Sequence, residues 1–402
     1  MQREFDIIVW GATGFTGKLV ARYMQQAYGE SNVTWAMAGR SQAKLDEVKS
    51  SVGASTINTL VADASDLSAL NALVQRTRVM LTTVGPYARY GSELVEACAA
   101  NGTHYCDLTG EVHWMREMIS KHEAAATASG ARIVHTCGFD SIPSDLGVYF
   151  IQRAMLEQHG VPAKEVKYRT KAFKGGFSGG TVDSMMAMME AAKSDPSILK
   201  TIADPYSLNN SYRGSDGLDS NAHYYDKDFK SWVGPFVMAA INTRVVRRSN
   251  ELLGMRYGED FRYNEGSLTQ DGFAGQFGAA AMGFGTASIN AMAAFEPTRK
   301  LLQMMAPKPG EGPSEDTIEN GFFEVELVAK HPTDASLDLR ASVKGDKDPG
   351  YGSTAKMLAE SAVCLAQDEL PVGGGFWTPA SAMGDALLDR LPANAGVTFE
   401  LI

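Results

Sequence analysis

The chain is poor in cysteine and shows no pattern in the few it has. Cys98, Cys106, Cys137 and Cys364 are the whole complement of 402 residues, and none forms a C-x-x-C pair. A zinc knuckle, a redox dithiol and a disulfide framework are therefore not expected, and reduced thiols are the simpler reading. Positive charge is also short: 37 Lys and Arg against 47 Asp and Glu leave a net charge of -10. That balance repels nucleic acid and anionic lipid at long range, which argues against a dedicated DNA or RNA binder. Several catalytic signatures are missing too. No tyrosine is followed four residues later by lysine, so the Tyr-x-x-x-Lys proton relay is absent. His122-Glu123 meets Ala126 where a zinc-binding helix needs its second histidine, and no P-loop lysine motif occurs. His104 and His113 fall on different expected elements, and no metal site is expected. No basic stretch with a cleavage site precedes the first strand, so the expectation is a cytoplasmic protein.

What is present suits a two-domain globular protein: 44% hydrophobic and 21% charged residues in 402 positions. Short β-branched runs at 5–10, 33–38, 56–61, 78–84, 103–108 and 131–136 alternate with helical patterns, which predicts a parallel sheet covered on both faces. Gly102 and Gly130 follow two of the helical stretches, where left-handed caps are expected. The alternation then stops. A helix is expected after Pro143, a strand at 166–173, a helix near 181–193, a long loop over 195–235, and a hairpin from 322–330 and 337–345. The fold class is α/β: an N-terminal Rossmann-type parallel sheet (1–140), a second α/β mixed-sheet domain (141–350), and a segment (351–402) whose helix returns to the first domain.

Gly11-Ala12-Thr13-Gly14-Phe15-Thr16-Gly17 joins the first strand to the first helix. The first glycine permits a tight turn, the second lets backbone approach a pyrophosphate, and the third lets helix and strand pack closely. The helix start then aims unpaired N–H groups at phosphate. After the second strand, where an NAD enzyme places a carboxylate, this chain has Arg40 and Ser41, with Lys44 a turn later. A guanidinium fork there suits a 2′-phosphate, so the expected cofactor is NADP. Asp63 either contacts the adenine or caps a helix. Val84-Gly85-Pro86-Tyr87 passes the carboxyl end of the fourth strand, where ligands of such sheets sit. The turn Phe139-Asp140-Ser141 before Pro143, and Gly179-Gly180-Thr181 at another helix start, are candidate substrate contacts, with a purely structural role as the alternative for each.

The stretch THYCDLTGEVHWM…KHEAAATASGARIVHTCGFDSIPSDLG (103–147) resembles the saccharopine dehydrogenase-like oxidoreductases, in particular the branch of bacterial trans-acting enoyl reductases. GATGFTG, AGRS, TVGPY, FVMAAINTRVVRRS, DPGYGSTAKMLAESA and TPASAMGDALLDRL occur in the order of that family. The resemblance implies an NADP-binding domain, a second domain and an active site between them. It further implies that Asp107 and Cys137, at the ends of the fifth and sixth strands, line that site. Tyr87 is a third catalytic candidate. The plain alternatives are a turn cap with Thr109 for Asp107 and a small buried side chain for Cys137.

The implied activity is reduction of a C=C or C=N bond in a lipid-linked or amino-acid-like substrate. An NADP sensor without catalysis and a lipid-associated scaffold stand as the alternatives. Residues 273–295 carry no charge over 23 positions. A small-residue helix packed inside the second domain is the expectation there, with a peripheral membrane contact as the alternative. A homodimer is left open.

Overall fold

The computed structural model describes residues 3–176, 179–219, 222–305 and 311–402. Its first sheet contains β1 (Phe5–Trp10), β2 (Trp35–Gly39), β3 (Asn58–Val61), β4 (Thr77–Thr82), β5 (His104–Cys106) and β6 (Arg132–Val134). A late strand, β13 (Gly375–Trp377), joins its edge, and the order is β13-β6-β5-β4-β1-β2-β3. Every pair in it is parallel. The strands read as continuous apolar runs because helices cover both faces. Ile7, Ile8 and Val9 have no exposure at all. Strand order reverses between β4 and β2 across β1, which opens a crevice at the carboxyl ends of those strands. Gly102 and Gly130 end their helices at φ of 67° and 85°, the left-handed caps that glycine tolerates.

The second sheet is mixed. It runs β14-β12-β11-β7-β10-β9-β8 and uses β7 (Glu165–Lys174), β8 (Tyr224–Asp226), β9 (Ser231–Gly234), β10 (Arg262–Leu268), β11 (Phe322–Lys330), β12 (Leu339–Gly345) and β14 (Val397–Leu401). The β11–β12 hairpin is antiparallel, with Val325 opposite Val343. Two strands, β8 and β9, lie inside the stretch expected to be loop. Each has three or four residues, too short to display a two-residue period. Their anchor is Asp226, buried at the end of β8, which accepts bonds from Arg169 at 2.8 and 3.1 Å.

The expected return of the C-terminal segment is seen in the Gly352–Gln367 helix, which packs on the Phe15–Tyr28 helix and on β1, β4 and β5. Its buried Glu360 accepts from the hydroxyls of Tyr23 (2.7 Å) and Tyr28 (2.6 Å). The last strand departs from that expectation: β14 pairs with β12 in the second sheet. The Gly272–Ala294 helix also differs from its expected place inside the second domain. Gly275, Ala279 and Ala293 face inward, but Phe273, Phe277 and Phe284 are 83%, 70% and 77% exposed. Composition announced an uncharged helix without saying that only one side of it is covered. Among the described residues no helix is long and apolar enough to cross a membrane, and no cluster of ligating side chains could hold a metal ion.

Candidate cofactor and active site

The loops after β1, β2, β4, β5 and β6 all leave the same edge of the first sheet, so most of the sequence-derived site residues gather there. The glycine turn is built as expected for close backbone approach. Gly11 sits at φ +85°, and a Cβ at Gly17 would lie 2.1 Å from the Gly11 carbonyl oxygen. A Cβ at Gly11 would strike Val84 at 2.5 Å, which seats the β4 loop against the turn. Gly14 forms the helix cap without a side-chain bond, leaving the first N–H groups of the helix to a ligand. Phe15 packs edge-on against Tyr351, with ring centroids 5.2 Å apart, and so ties the turn to the C-terminal segment. Thr13 lies beside Gly39 at the end of β2.

Arg40 follows Gly39 and is exposed, and its guanidinium has no hydrogen-bond or ion-pair partner among the described residues. Ser41 caps the Gln42–Ser51 helix through its hydroxyl, which accepts from the backbone N–H of Lys44. Asp63 holds a turn by accepting from the N–H and hydroxyl of Ser65 at 2.9 and 2.7 Å. Those bonds and the nearby Arg40 charge keep its carboxyl below the usual range. The following helix is capped by Asp66, so Asp63 holds a turn rather than a helix start. A cradle without Cβ atoms, an open helix start and a free guanidinium form a set that fits NADP.

At the other end of the crevice, Val84-Gly85-Pro86 runs into the short Tyr87–Tyr90 helix. Glu111, not named among the candidates above, is buried beneath it. Its two oxygens accept from the N–H groups of Tyr87 (2.8 Å) and Ala88 (2.9 Å). Burial raises its pKa, against these bonds and one from Ser184 of the Gly179–Ser194 helix. That helix lies across the β4 loop, where Arg89 also pairs with Glu190 at 2.9 Å. Gly179, Gly180 and Thr181 open it, and their side chains lie outside the described set. Replacing Glu111 with alanine strands the buried Tyr87 N–H and takes a partner from the part-buried Ala88 N–H. Chemical denaturation should show a loss of about 2 kcal/mol of stability. A midpoint equal to that of the parent would refute the anchoring role.

The three residues put forward for chemistry lie close together, and the protein itself occupies their polar groups. Asp107 is fully buried. One oxygen accepts from Tyr105 Oη (2.9 Å) and His135 Nδ1 (2.7 Å), the other from the N–H groups of Thr109 (3.1 Å) and Thr136 (3.0 Å). It therefore clamps the β5 and β6 loops together. His135 sits between Tyr105, Trp114 and Phe376, and its Nε2 has no partner among the described residues. Cys137 has no exposure, and burial pushes its thiol well above the ordinary value. The Tyr87 hydroxyl donates to the Thr82 carbonyl (3.3 Å) and accepts from Leu108 N–H (3.2 Å), and burial raises its pKa.

Asp140 differs from all three. It lies half-buried in the turn after β6, and no hydrogen bond or ion pair is found for its carboxyl among the described residues. Desolvation, with the Asp107 charge behind it, pushes that carboxyl up to about 7. The turn is fixed on either side. Phe139 N–H donates to Thr354 Oγ1 at 2.9 Å, and Ser141 donates to Asn242 Oδ1 at 3.1 Å rather than capping the helix. Next to it Phe139 meets Phe323 (4.9 Å) and Phe236 (6.5 Å), and Tyr168 stacks on Phe236 (6.1 Å). The partly buried Phe139 and Phe236 thus pack on core aromatics of the second sheet, Phe323 and Tyr168, beside a carboxyl that titrates near neutrality.

Comparison with known proteins places this geometry. Residues 7–134 match the family model of the saccharopine dehydrogenase NADP binding domain. The trans-acting enoyl reductase of Mycobacterium tuberculosis is 40% identical over 414 residues, covering 99% of this chain and 98% of that one. Its Mycobacterium leprae counterpart is 39% identical over 426 residues, with 99% and 98% covered. Among solved structures, the apo saccharopine dehydrogenase (L-Glu forming) of Saccharomyces cerevisiae aligns over 99% of this chain with a TM-score of 0.54 at 13% identity.

Proposed function

The chain belongs to the saccharopine dehydrogenase-like oxidoreductases and is an NADP-dependent enzyme of that family, and on that premise we propose that it reduces the carbon–carbon double bond of a 2-enoyl thioester with Asp140 as proton donor. The carrying observation is Asp140 itself: a carboxyl of pKa about 7 at the carboxyl edge of the parallel sheet, without a hydrogen bond or ion pair among the described residues. Asp107, Cys137 and Tyr87 keep their polar atoms engaged inside the protein, which leaves Asp140 the better-placed acid.

In this reading Gly11, Thr13, Gly14, Phe15, Thr16 and Gly17 would cradle the pyrophosphate. Arg40, Ser41 and Lys44 would receive the 2′-phosphate, with Asp63 toward the adenine. Val84, Gly85 and Pro86 would border the nicotinamide half, and Phe139, Asp140 and Ser141, with Gly179, Gly180 and Thr181, would face the substrate. NADPH, when bound, would supply the hydride needed at the carbon two bonds from the carbonyl. The carbon next to the carbonyl then takes the proton of Asp140, which leaves a carboxylate to be reprotonated from the crevice. Glu111 and Asp107 act on positions: one fixes the loop after β4, the other locks the β5 and β6 loops so that Asp140 stays in place.

An acyl substrate suits the surroundings better than an amino-acid imine. An amino acid brings a carboxylate that needs a free cation. The buried arginines of the second domain are already engaged. Arg169 holds Asp226, Arg247 holds Asp216 at 2.8 Å, Arg244 holds Asp219, and Arg248 donates to the Leu208 and Phe376 carbonyls. The partly buried Phe139 and Phe236 offer contact to a chain instead. NADPH oxidation should proceed with 2-enoyl thioesters and rise with chain length, while cyclic or amino-acid imines stay inert. Turnover of an imine alone, with every enoyl thioester untouched, would reject this reading.

A further inference from the structure

The Asp140 carboxyl makes no hydrogen bond or ion pair among the described residues, so its place is decided by the residues on either side of it. Phe139 is tied through its N–H to Thr354 of the C-terminal segment. Ser141 is tied the other way, into the second domain, and there the tether continues. The Ser141 hydroxyl donates to Asn242 Oδ1 (3.1 Å), Asn242 Nδ2 donates to Glu265 Oε2 (3.0 Å), and Tyr263 Oη donates to Glu265 Oε1 (2.7 Å). Ser141, Asn242 and Tyr263 are buried, so water competes little for these bonds and each side chain fixes the next.

Glu265 is the costly member of this chain. It stands opposite Tyr168 of β7, on a face of the second sheet that otherwise presents Val166, Val325 and Leu327. It is partly buried, desolvation pushes its carboxyl up to about 7, and no cation pairs with it among the described residues. An apolar side chain would be cheaper there. What the carboxyl adds is an acceptor that turns the Asn242 amide, with its N–H toward β10 and its oxygen toward Ser141. Both forms of the carboxyl keep that bond, because a proton on Oε1 can point to the Tyr263 oxygen instead. The same sheet also seats Phe236, which stacks on Tyr168 at 6.1 Å.

We propose that Glu265 is a positioning residue for the reaction: acting through Asn242 and Ser141, it holds the Asp140 turn in the frame of the second sheet, where the substrate chain lies. The proposal rests on Asp140 as proton donor. Glu265 itself gives up no proton. One sheet then sets both the seat of the substrate and the reach of the acid, which is what proton transfer to a single carbon requires.

The test is the pH profile of kcat on a 2-enoyl thioester for E265A, E265Q and N242L, each also combined with D140N. E265A and N242L should each lower kcat by about 10- to 100-fold, with NADPH affinity unchanged. Together they should lose no more than either alone, because they cut one chain. Water then reaches the loosened turn and favours the Asp140 carboxylate, so the alkaline limb moves ~1 pH unit toward acid. E265Q still accepts from Asn242 and should recover most of the rate. On the D140N background all three should be silent, since the acid they position is gone. N242L leaves the Tyr263–Glu265 bond in place and carries the test if E265A does not fold. Lower stability with kcat and the limb as in the parent overturns the proposal, as does an E265Q as slow as E265A. An effect of E265A that N242L does not share, or an equal loss on the D140N background, also overturns it while leaving the Asp140 reading intact. A D140N enzyme with the parent's kcat removes that reading, and this proposal with it.

Discussion

Asparagine at position 140 lowers kcat by about 10²- to 10⁴-fold, the range for loss of a positioned proton donor. NADPH affinity, measured by calorimetry, stays within error of the parent, since the phosphate-binding turn lies at a different strand end. The pH profile carries the sharper statement. The acid form of Asp140 is the active one and its pKa is about 7. The parent's kcat is therefore flat below neutrality and falls tenfold per pH unit above it. In D140N that alkaline limb vanishes, leaving a low, flat rate. A variant that keeps kcat within threefold, or keeps the limb, shows that another group gives the proton. The Asp140 proton is also cheap to return, because a carboxyl titrating near neutrality exchanges readily with water in the crevice.

The second large effect concerns Arg40. A charge-assisted hydrogen bond contributes about 1.5–3 kcal/mol, so Arg40→Ala weakens NADPH binding by roughly 10- to 100-fold. NADH binding stays where it was. The selectivity change, rather than the loss alone, marks a guanidinium that reads the 2′-phosphate. Equal weakening of both nucleotides would mean that Arg40 only supports the loop. Ser41 remains the cap of the next helix in the variant, so the fold should hold.

The parallel sheet was legible because its signals are local. A buried strand, a glycine turn and an amphipathic helix are each written in fewer than fifteen residues. The cleft residues were legible for the same reason, since strand ends in such a sheet face one side. Asp140 could be named from its turn but not distinguished from Asp107. What separates them is the company each keeps: Tyr105, His135, Thr109 and Thr136 bond to one carboxyl, and among the described residues no bond to the other is found. Glu111 was out of reach because its partners, Tyr87 and Ala88, lie more than twenty residues upstream. Thr354 supports Phe139 from 215 residues away. Strands β13 and β14 are three and five residues long and take their identity from a neighbour already in place. The Gly272–Ala294 helix shows a further limit. Two stripes with one spacing look alike on paper, and only packing reveals which of them is covered.

The end of the chain visits both sheets, with β13 beside β6 and β14 beside β12. Neither sheet is complete until residues 375–401 have been made. Until then β6 and β12 stand as open edges, able to pair with any extended strand nearby. A nascent chain stalled short of residue 375 therefore carries two adhesive borders at once, and a truncation that spares every cofactor and substrate residue still yields a protein that aggregates.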